Sequence, residues 1–229
     1  VHCWTLEGPL KLYLLNVNLD EKFISLNAKT VSAENELEEI RSAEDVFAGF
    51  VFSGATSQIA VKDGQIINRP SNDFLFSVNK KNEAVMSLWK DSDNGPYPLS
   101  EAIMSIGAEK VLIQDGETAS DLISDESAGK VNESTIAMGL FNDEELVILV
   151  SPGDISSGSI GISSLQAAEY LRYLGCRQVI SPAAGSSLFV KFPGMKETRE
   201  VLSSRIIPEE QRQVLLIKNI APVTKSDRL

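Results

Sequence analysis

The chain has 229 residues, of which 43% are hydrophobic and 23% are charged, and this composition excludes a disordered, collagen-like or coiled-coil protein. We expect a single globular domain over residues 1–229. The formal net charge of −11, with no run of Lys or Arg, would repel a phosphate backbone, so we expect no nucleic-acid partner. The apolar runs are shorter than the ~20 residues of a membrane helix, so we expect no membrane span.

The first predicted elements are a helix and a tight hairpin. Residues 33–43 place apolar side chains on one helical face and acids in the first turn, with Ser32 as the expected N-cap. Residues 61–67 predict a hairpin with Asp63 and Gly64 in the turn, because both central positions of a two-residue turn favour positive φ. This region therefore mixes helix and strand.

A second hairpin, a short helix and a loop follow. Residues 74–78 and 84–89 are apolar strands joined by a polar turn, which predicts a hairpin. Residues 100–106 end at Gly107, which predicts a short helix. Residues 116–134 are acidic and predict a long loop, either a solvated connection or a mobile lid.

A third hairpin and a terminal strand complete the predicted strands. Residues 135–141 and 146–150 are apolar and are separated by an Asn-Asp turn. Residues 214–217 form a short apolar run typical of a strand, and residues 221–229 are polar and predict a flexible tail. Hairpins therefore account for most of the predicted strands.

The clearest helix signal lies at residues 164–174. Ser163 and Gln166 have the spacing of a capping box, and Gly175 stands where a helix commonly ends in a left-handed residue. With the two shorter helices, this gives about three helices among many short strands. We therefore predict an α+β fold with mixed, largely antiparallel sheets built from hairpins.

Residues that usually carry catalysis are few. His2 is the single histidine, which excludes a Ser-His-Asp triad, a Cys-His dyad and a His-rich metal site within this chain. The sequence contains no G-x-S-x-G, H-E-x-x-H, C-x-x-C or phosphate-loop motif. We expect no metal and no cofactor. Cys3 and Cys176 can form one disulfide or remain two thiols, and both alternatives stay open.

Two segments rich in Gly and Ser flank the helix at 164–174. The first, 151–163, leads into the start of the helix, where unpaired N–H groups and the helix dipole favour a phosphate or a sugar phosphate. The second, 182–187, follows the next predicted strand, so both segments can converge on one pocket. The candidate ligand-binding residues are Gly158, Ser159, Gly161, Ser163, Gly185, Ser186 and Ser187.

The order of the motifs is more specific than any one of them. A hairpin, a Ser/Gly loop, a capped helix and a second Gly/Ser loop read STIAMG (134–139), SPGD (151–154), SIGIS (159–163), QAAEYLRYLG (166–175) and PAAGS (182–186). Upstream strands in the same order are FAGFVF (47–52), the hairpin at 61–67 and VLIQDG (111–116). This series resembles the phosphodiester glycosidase family over most of the chain.

The resemblance implies an α+β fold, a glycan or sugar-phosphate ligand and an extracytoplasmic or secreted location. Five motif positions depart from the family pattern. Ala48 stands in place of Asn, Thr135 in place of Arg and Pro182 in place of Asp, and in the loop at 151–154 Pro152 stands in place of Asp and Asp154 in place of Arg. Cleavage of a sugar phosphodiester needs a cation or dense donors on the phosphate and a carboxylate at the sugar. We therefore expect a non-catalytic protein that binds or scaffolds a carbohydrate, with no catalytic residue.

Two alternatives remain. The protein can be an active hydrolase that uses other acids, with Asp63, Asp115 and Asp154 as candidates. It can also be a protein–protein interaction module of a larger assembly, with its pocket filled by Phe50 and Val51. A pair of carboxyl groups across a cleft would favour the first alternative.

Overall fold

The computed structural model describes most of the chain. The described residues are 2–6, 10–21, 23–53, 59–69, 74–89, 99–124, 135–153, 159–182, 187–190, 199–201 and 212–219. Within these ranges the α-helices are Glu34–Ser42 (α1), Ser120–Ser124 (α2) and Ser164–Tyr173 (α3). The strands are His2–Leu6 (β1), Leu12–Asn18 (β2), Ile24–Val31 (β3), Val46–Ser53 (β4), Ile59–Lys62 (β5), Gln65–Ile66 (β6), Phe74–Asn79 (β7), Ala84–Leu88 (β8), Ala102–Gly107 (β9), Lys110–Gln114 (β10), Glu117–Thr118 (β11), Thr135–Leu140 (β12), Glu145–Ser151 (β13), Gln178–Ser181 (β14), Ser187–Val190 (β15), Arg199–Val201 (β16) and Arg212–Asn219 (β17).

The strands form three sheets. The large sheet has the order β1-β2-β13-β12-β14-β10-β11. The terminal sheet has the order β16-β15-β4-β17-β3, and the hairpin sheet has the order β6-β5-β9-β7-β8. Every strand pair among the described residues is antiparallel. The predicted α+β class with largely antiparallel sheets is confirmed.

The main hydrophobic core contains side chains from all three sheets. Ile148 of the large sheet, Phe52 of the terminal sheet and Phe76 of the hairpin sheet are completely buried in it. A second cluster packs Leu171 of α3 and Leu122 of α2 against the large sheet. The middle of the large sheet is therefore covered on both faces, and its strands β12 and β13 are buried along almost their whole length.

The three predicted hairpins are present. In the first, Asp63 and Gly64 both have positive φ, 50° and 77°, and a Cβ on Gly64 would lie 2.5 Å from the carbonyl oxygen of Ser100. Glycine is therefore required at this turn. In the third hairpin, the Asn142 side chain accepts hydrogen bonds from the backbone N–H groups of Glu144 and Glu145.

The helix predicted over residues 100–106 is wrong. A single 3-10 turn at Leu99–Glu101 is followed by β9, which lies between β5 and β7 in the hairpin sheet. Both faces of β9 are buried, and Ser105 forms a 2.7 Å hydrogen bond with Ser77 of β7. A strand buried on both faces is continuously apolar, so its pattern cannot be distinguished from that of a short buried helix.

Two smaller expectations also change. The stretch 116–134 is not wholly irregular, because it contains β11 and α2; residues 125–134 lie outside the described ranges. The N-cap of α1 is Ala33 rather than Ser32. The backbone N–H of Ser32 instead donates to the Glu36 carboxylate, whose pKa is lowered mainly by its hydrogen bond with Lys29. This carboxylate therefore supports the helix start in place of a hydroxyl cap.

Candidate functional site

The departures from the family motifs at residues 135 and 182 lie at one edge of the large sheet. We call this the motif edge: the end where β12 begins at Thr135, β13 ends at Ser151 and β14 ends at Ser181. Thr135 pairs directly with Ser151, and Pro182 follows Ser181. Because β12 lies between β13 and β14, these strand ends are neighbours.

Thr135 is buried and bonded within the protein. Its side chain is 5% exposed, and its hydroxyl donates a 2.8 Å hydrogen bond to the backbone carbonyl of Ile162. Pro182 is buried and Ala48 is completely buried. These three of the positions that depart from the expected motif residues therefore carry buried, uncharged side chains.

Ser159 closes the same edge through its hydroxyl oxygen. This oxygen accepts hydrogen bonds from the backbone N–H of Lys11 at 3.0 Å and of Gly161 at 3.4 Å. The Ser151 hydroxyl donates to the Lys11 carbonyl at 3.2 Å. Ser159 is 4% exposed, so its side chain is engaged in tying the segment before α3 to the beginning of β2. Sequence reasoning missed the role of Lys11, which is 148 residues away from Ser159.

Gly161 and Ser163 shape the start of α3. Gly161 has φ +72°, a conformation that side chains other than glycine rarely adopt. Ser163 is completely buried, and its hydroxyl accepts from the N–H of Gln166 while the Gln166 side chain accepts from the Ser163 N–H. The predicted capping box is confirmed. Gly175, with φ +97°, follows the helix as predicted.

The predicted ligand-binding residues are only partly brought together. Ser159, Gly161 and Ser163 lie side by side at the motif edge, all buried. Gly158, Gly185 and Ser186 lie outside the described residues. Ser187 is the first residue of β15, and its backbone pairs with that of Val51 on β4 in the terminal sheet.

The two described alternative acids, Asp63 and Asp115, do not meet at the motif edge. Asp63 lies in the turn of the β5–β6 hairpin, in a different sheet. Asp115 follows β10, which starts at the motif edge where Lys110 pairs with Ser181, so Asp115 lies at the far end of that strand. Asp154 lies outside the described residues.

Phe50 and Val51, which were expected to fill the pocket, are neighbours on β4 in the terminal sheet. Val51 packs beneath α1 in a cluster with Leu37 and Val214, away from the core beneath the motif edge. Phe50 lies on β4 opposite Leu188 of β15, and its side chain lies outside what the structure describes. Val51 therefore does not fill a pocket at the motif edge.

The described residues also show whether the chain has a metal site, a membrane-spanning helix or a reactive thiol. Within the described ranges, no three His, Cys, Asp or Glu side chains are grouped to hold a metal ion. None of the described helices has the length and apolar character needed to cross a bilayer. Cys176 is a free, buried thiol, and its burial raises its pKa to about 12. This thiol therefore packs against Gly139 of β12, and its burial disfavours the thiolate form.

The sequence profile of the phosphodiester glycosidases matches residues 37–181 of this chain. The chain belongs to the phosphodiester glycosidase family. Its fold is similar to that of the zebrafish N-acetylglucosamine-1-phosphodiester alpha-N-acetylglucosaminidase catalytic domain auto-inhibited by pro-peptide, with TM-score 0.59 and 10% identity over 94% of this chain and 81% of that one. A hypothetical protein from Synechocystis matches with TM-score 0.48 and 12% identity over 95% of this chain and 61% of its own. No curated protein sequence matches this phosphodiester glycosidase-family chain.

Proposed function

We propose that this phosphodiester glycosidase-family chain has lost hydrolysis and binds a carbohydrate or a sugar phosphate. One observation carries the proposal. At the position of the family's guanidinium, the Thr135 hydroxyl is buried and donates to the Ile162 carbonyl. At the position of the family's carboxylate, Pro182 is buried and has no group that can transfer a proton. Both substitutions remove charge.

The loss of both groups has a large kinetic consequence. A phosphodiester leaving group needs a cation or dense donors, and the sugar needs a carboxylate for its oxocarbenium-like transition state. If each group contributes about 3 kcal/mol to the transition state, losing both corresponds to about 10⁴-fold in rate. The remaining hydroxyl and backbone groups can bind a sugar without cleaving it.

The proposed contacts follow from the Gly/Ser segments. We place the ligand against Gly158, Gly185, Ser186 and Ser187; Gly158 directly precedes the buried Ser159, and Gly185 comes three residues after the buried Pro182. Ser159, Gly161 and Ser163 then act by shaping this segment through internal hydrogen bonds. The net charge of −11 disfavours a heavily anionic polymer, so a short neutral glycan or a single sugar phosphate fits best. A carbohydrate ligand agrees with an extracytoplasmic or secreted location.

Equilibrium binding tests the proposal. N-acetylglucosamine and N-acetylglucosamine 1-phosphate are titrated into the protein while its backbone amide resonances are observed by NMR. We expect saturable shift changes at residues 159–163, next to the proposed contacts, and the paired change Ser186→Ala and Ser187→Ala weakens the binding that these residues report at least tenfold. Ser42→Ala, an exposed serine on α1, is the matched control and leaves binding unchanged. Absence of saturable binding for both sugars, or equal effects of the variants, overturns the proposal.

An active hydrolase is the competing function. It requires two carboxyl groups that face each other across a cleft. Asp63 and Asp115 lie in turns of different sheets, which does not favour this function. Turnover of a sugar phosphodiester separates the two functions, since a binding protein retains the ligand unchanged.

A further inference from the structure

A cavity lies at the end of the large sheet opposite the motif edge. It has a volume of about 410 Å³, which falls within the range of about 300–1,000 Å³ typical of small-molecule sites. β12 runs from Thr135 at the motif edge to Leu140 at this cavity, a distance of roughly 17 Å at about 3.4 Å per residue. We call it the distal cavity. None of the described residues at the motif edge, such as Thr135 and Ser159, lines it.

Regular structure holds the walls of the distal cavity. The cavity lies between the β12–β13 turn of the large sheet and the start of β8 in the hairpin sheet, and the Ala84 N–H donates to the Asp143 carbonyl at 2.7 Å. On the other wall, the Arg177 carbonyl accepts from the Gly116 N–H at 2.8 Å, and the Arg177 N–H donates to the Leu140 carbonyl at 2.9 Å. These bonds fix the backbone before any ligand binds, which reduces the entropy lost on binding.

The lining combines an aromatic ring with polar groups of several kinds. Phe141 contributes an aromatic surface, Arg177 contributes hydrogen-bond donors, and Glu83, Asp115 and Asp143 contribute carboxylate acceptors. A pyranose ring has an apolar face that packs on an aromatic ring and an edge of hydroxyls that both donate and accept. Three carboxylates against one guanidinium disfavour a phosphate. The lining therefore matches an uncharged sugar better than a sugar phosphate.

Gln178 has a particular place in this lining. Its side-chain nitrogen donates to the Asp115 carboxylate at 2.9 Å, which orients the amide. Its side-chain oxygen is buried and accepts no hydrogen bond from any of the described residues. A buried acceptor without a donor costs free energy, so a rotation of the Gln178 amide that lets a ligand hydroxyl donate to this oxygen recovers that cost.

We propose that the distal cavity is a binding site for an uncharged monosaccharide or for the terminal sugar of a neutral glycan. The site goes beyond the proposed function, because it names a second location with a different lining and a preference against phosphate. Gln178 and Asp115 bind the sugar hydroxyls, Arg177 supplies donors, and Phe141 packs against the ring.

Backbone amide NMR with a panel of sugars tests this proposal. The probes are glucose, galactose, mannose and N-acetylglucosamine, with glucose 1-phosphate as the comparison ligand. We expect at least one neutral sugar to bind with a millimolar dissociation constant. Its shift changes are centred on residues 140–143 and 177–178, and glucose 1-phosphate binds at least tenfold more weakly there.

Two variants and two controls locate the site. Gln178→Leu and Asp115→Asn are expected to weaken binding at least tenfold; Asp115 is exposed and has a φ of 55°, which Asn also adopts, so its variant is expected to fold normally. Gln65→Leu, an exposed glutamine on β6, leaves binding unchanged. The Ser186→Ala and Ser187→Ala pair also leaves it unchanged, which separates this site from the motif edge. No shift changes at residues 140–143 and 177–178 with any neutral sugar up to about 10 mM, or equal binding in all variants, overturns the proposal.

Discussion

Replacing Thr135 by Val tests whether the former catalytic position has become part of the folded structure. The substitution keeps the branched shape and removes the hydroxyl that donates to the Ile162 carbonyl at 2.8 Å. Thr135 and Ile162 are 5% and 2% exposed, so the carbonyl cannot easily recover a partner from solvent. An unsatisfied buried acceptor costs about 1–3 kcal/mol, and the added methyl group recovers up to about 0.8 kcal/mol.

The net cost is about 1.5 kcal/mol, which lowers the melting temperature of a chain of this size by about 3–6 °C. Thermal and urea unfolding followed by circular dichroism measure it. Thr30→Val, an exposed threonine on β3, is the matched control, with an expected change near zero. Equal melting temperatures for Thr135→Val and Thr30→Val would refute the reasoning, because Thr135 would then carry no buried hydrogen bond that matters.

The remaining predictions concern packing, capping and the buried thiol. Gly139→Ala destabilises the protein by about 1–3 kcal/mol, because the new Cβ lies 2.7 Å from the Cys176 sulfur; adding Cys176→Ala recovers part of this loss in a double-mutant cycle by urea unfolding. Ser163→Ala costs about 1 kcal/mol by the same measurement, whereas an unchanged stability contradicts its capping role. The Cys176 thiol has a pKa raised to about 12, so alkylation at pH 8 is slow in native protein and fast after unfolding. Because the folded pKa of Cys176 is raised, burial of the neutral thiol stabilises the protein fully below the unfolded pKa of about 8.5, and this stabilisation is lost as pH rises towards 12. Rapid alkylation of the native protein would contradict the burial of Cys176.

Local signals in the sequence predicted local structure. The Asp63-Gly64 turn and the Ser163–Gln166 capping box each depend on residues within four positions of one another, and both are present. β9 was predicted as a helix because its apolar pattern is compatible with either element. Its pairing with β5 and β7 decides the outcome, and those partners are distant in the sequence.

The candidate site depends on contacts that no local pattern contains. The resemblance identified Thr135 and Pro182 as departures from the motifs, but only the antiparallel pairing of β12 with β14 places them at the same end of the large sheet. The bond between Lys11 and Ser159 joins residues 148 positions apart. The distal cavity likewise combines Glu83, Asp115, Asp143 and Arg177 from four separate turns and strand ends. Only the arrangement of the sheets brings such groups together.

Release of sugar from a chromogenic N-acetylglucosamine 1-phosphodiester tests the loss of hydrolysis most directly. The uncharged, buried positions at Thr135 and Pro182 predict a rate that equals the background at every protein concentration and is the same for Thr135→Val. A rate that rises in proportion to protein, co-purifies with the folded chain and disappears in Asp154→Asn contradicts the account.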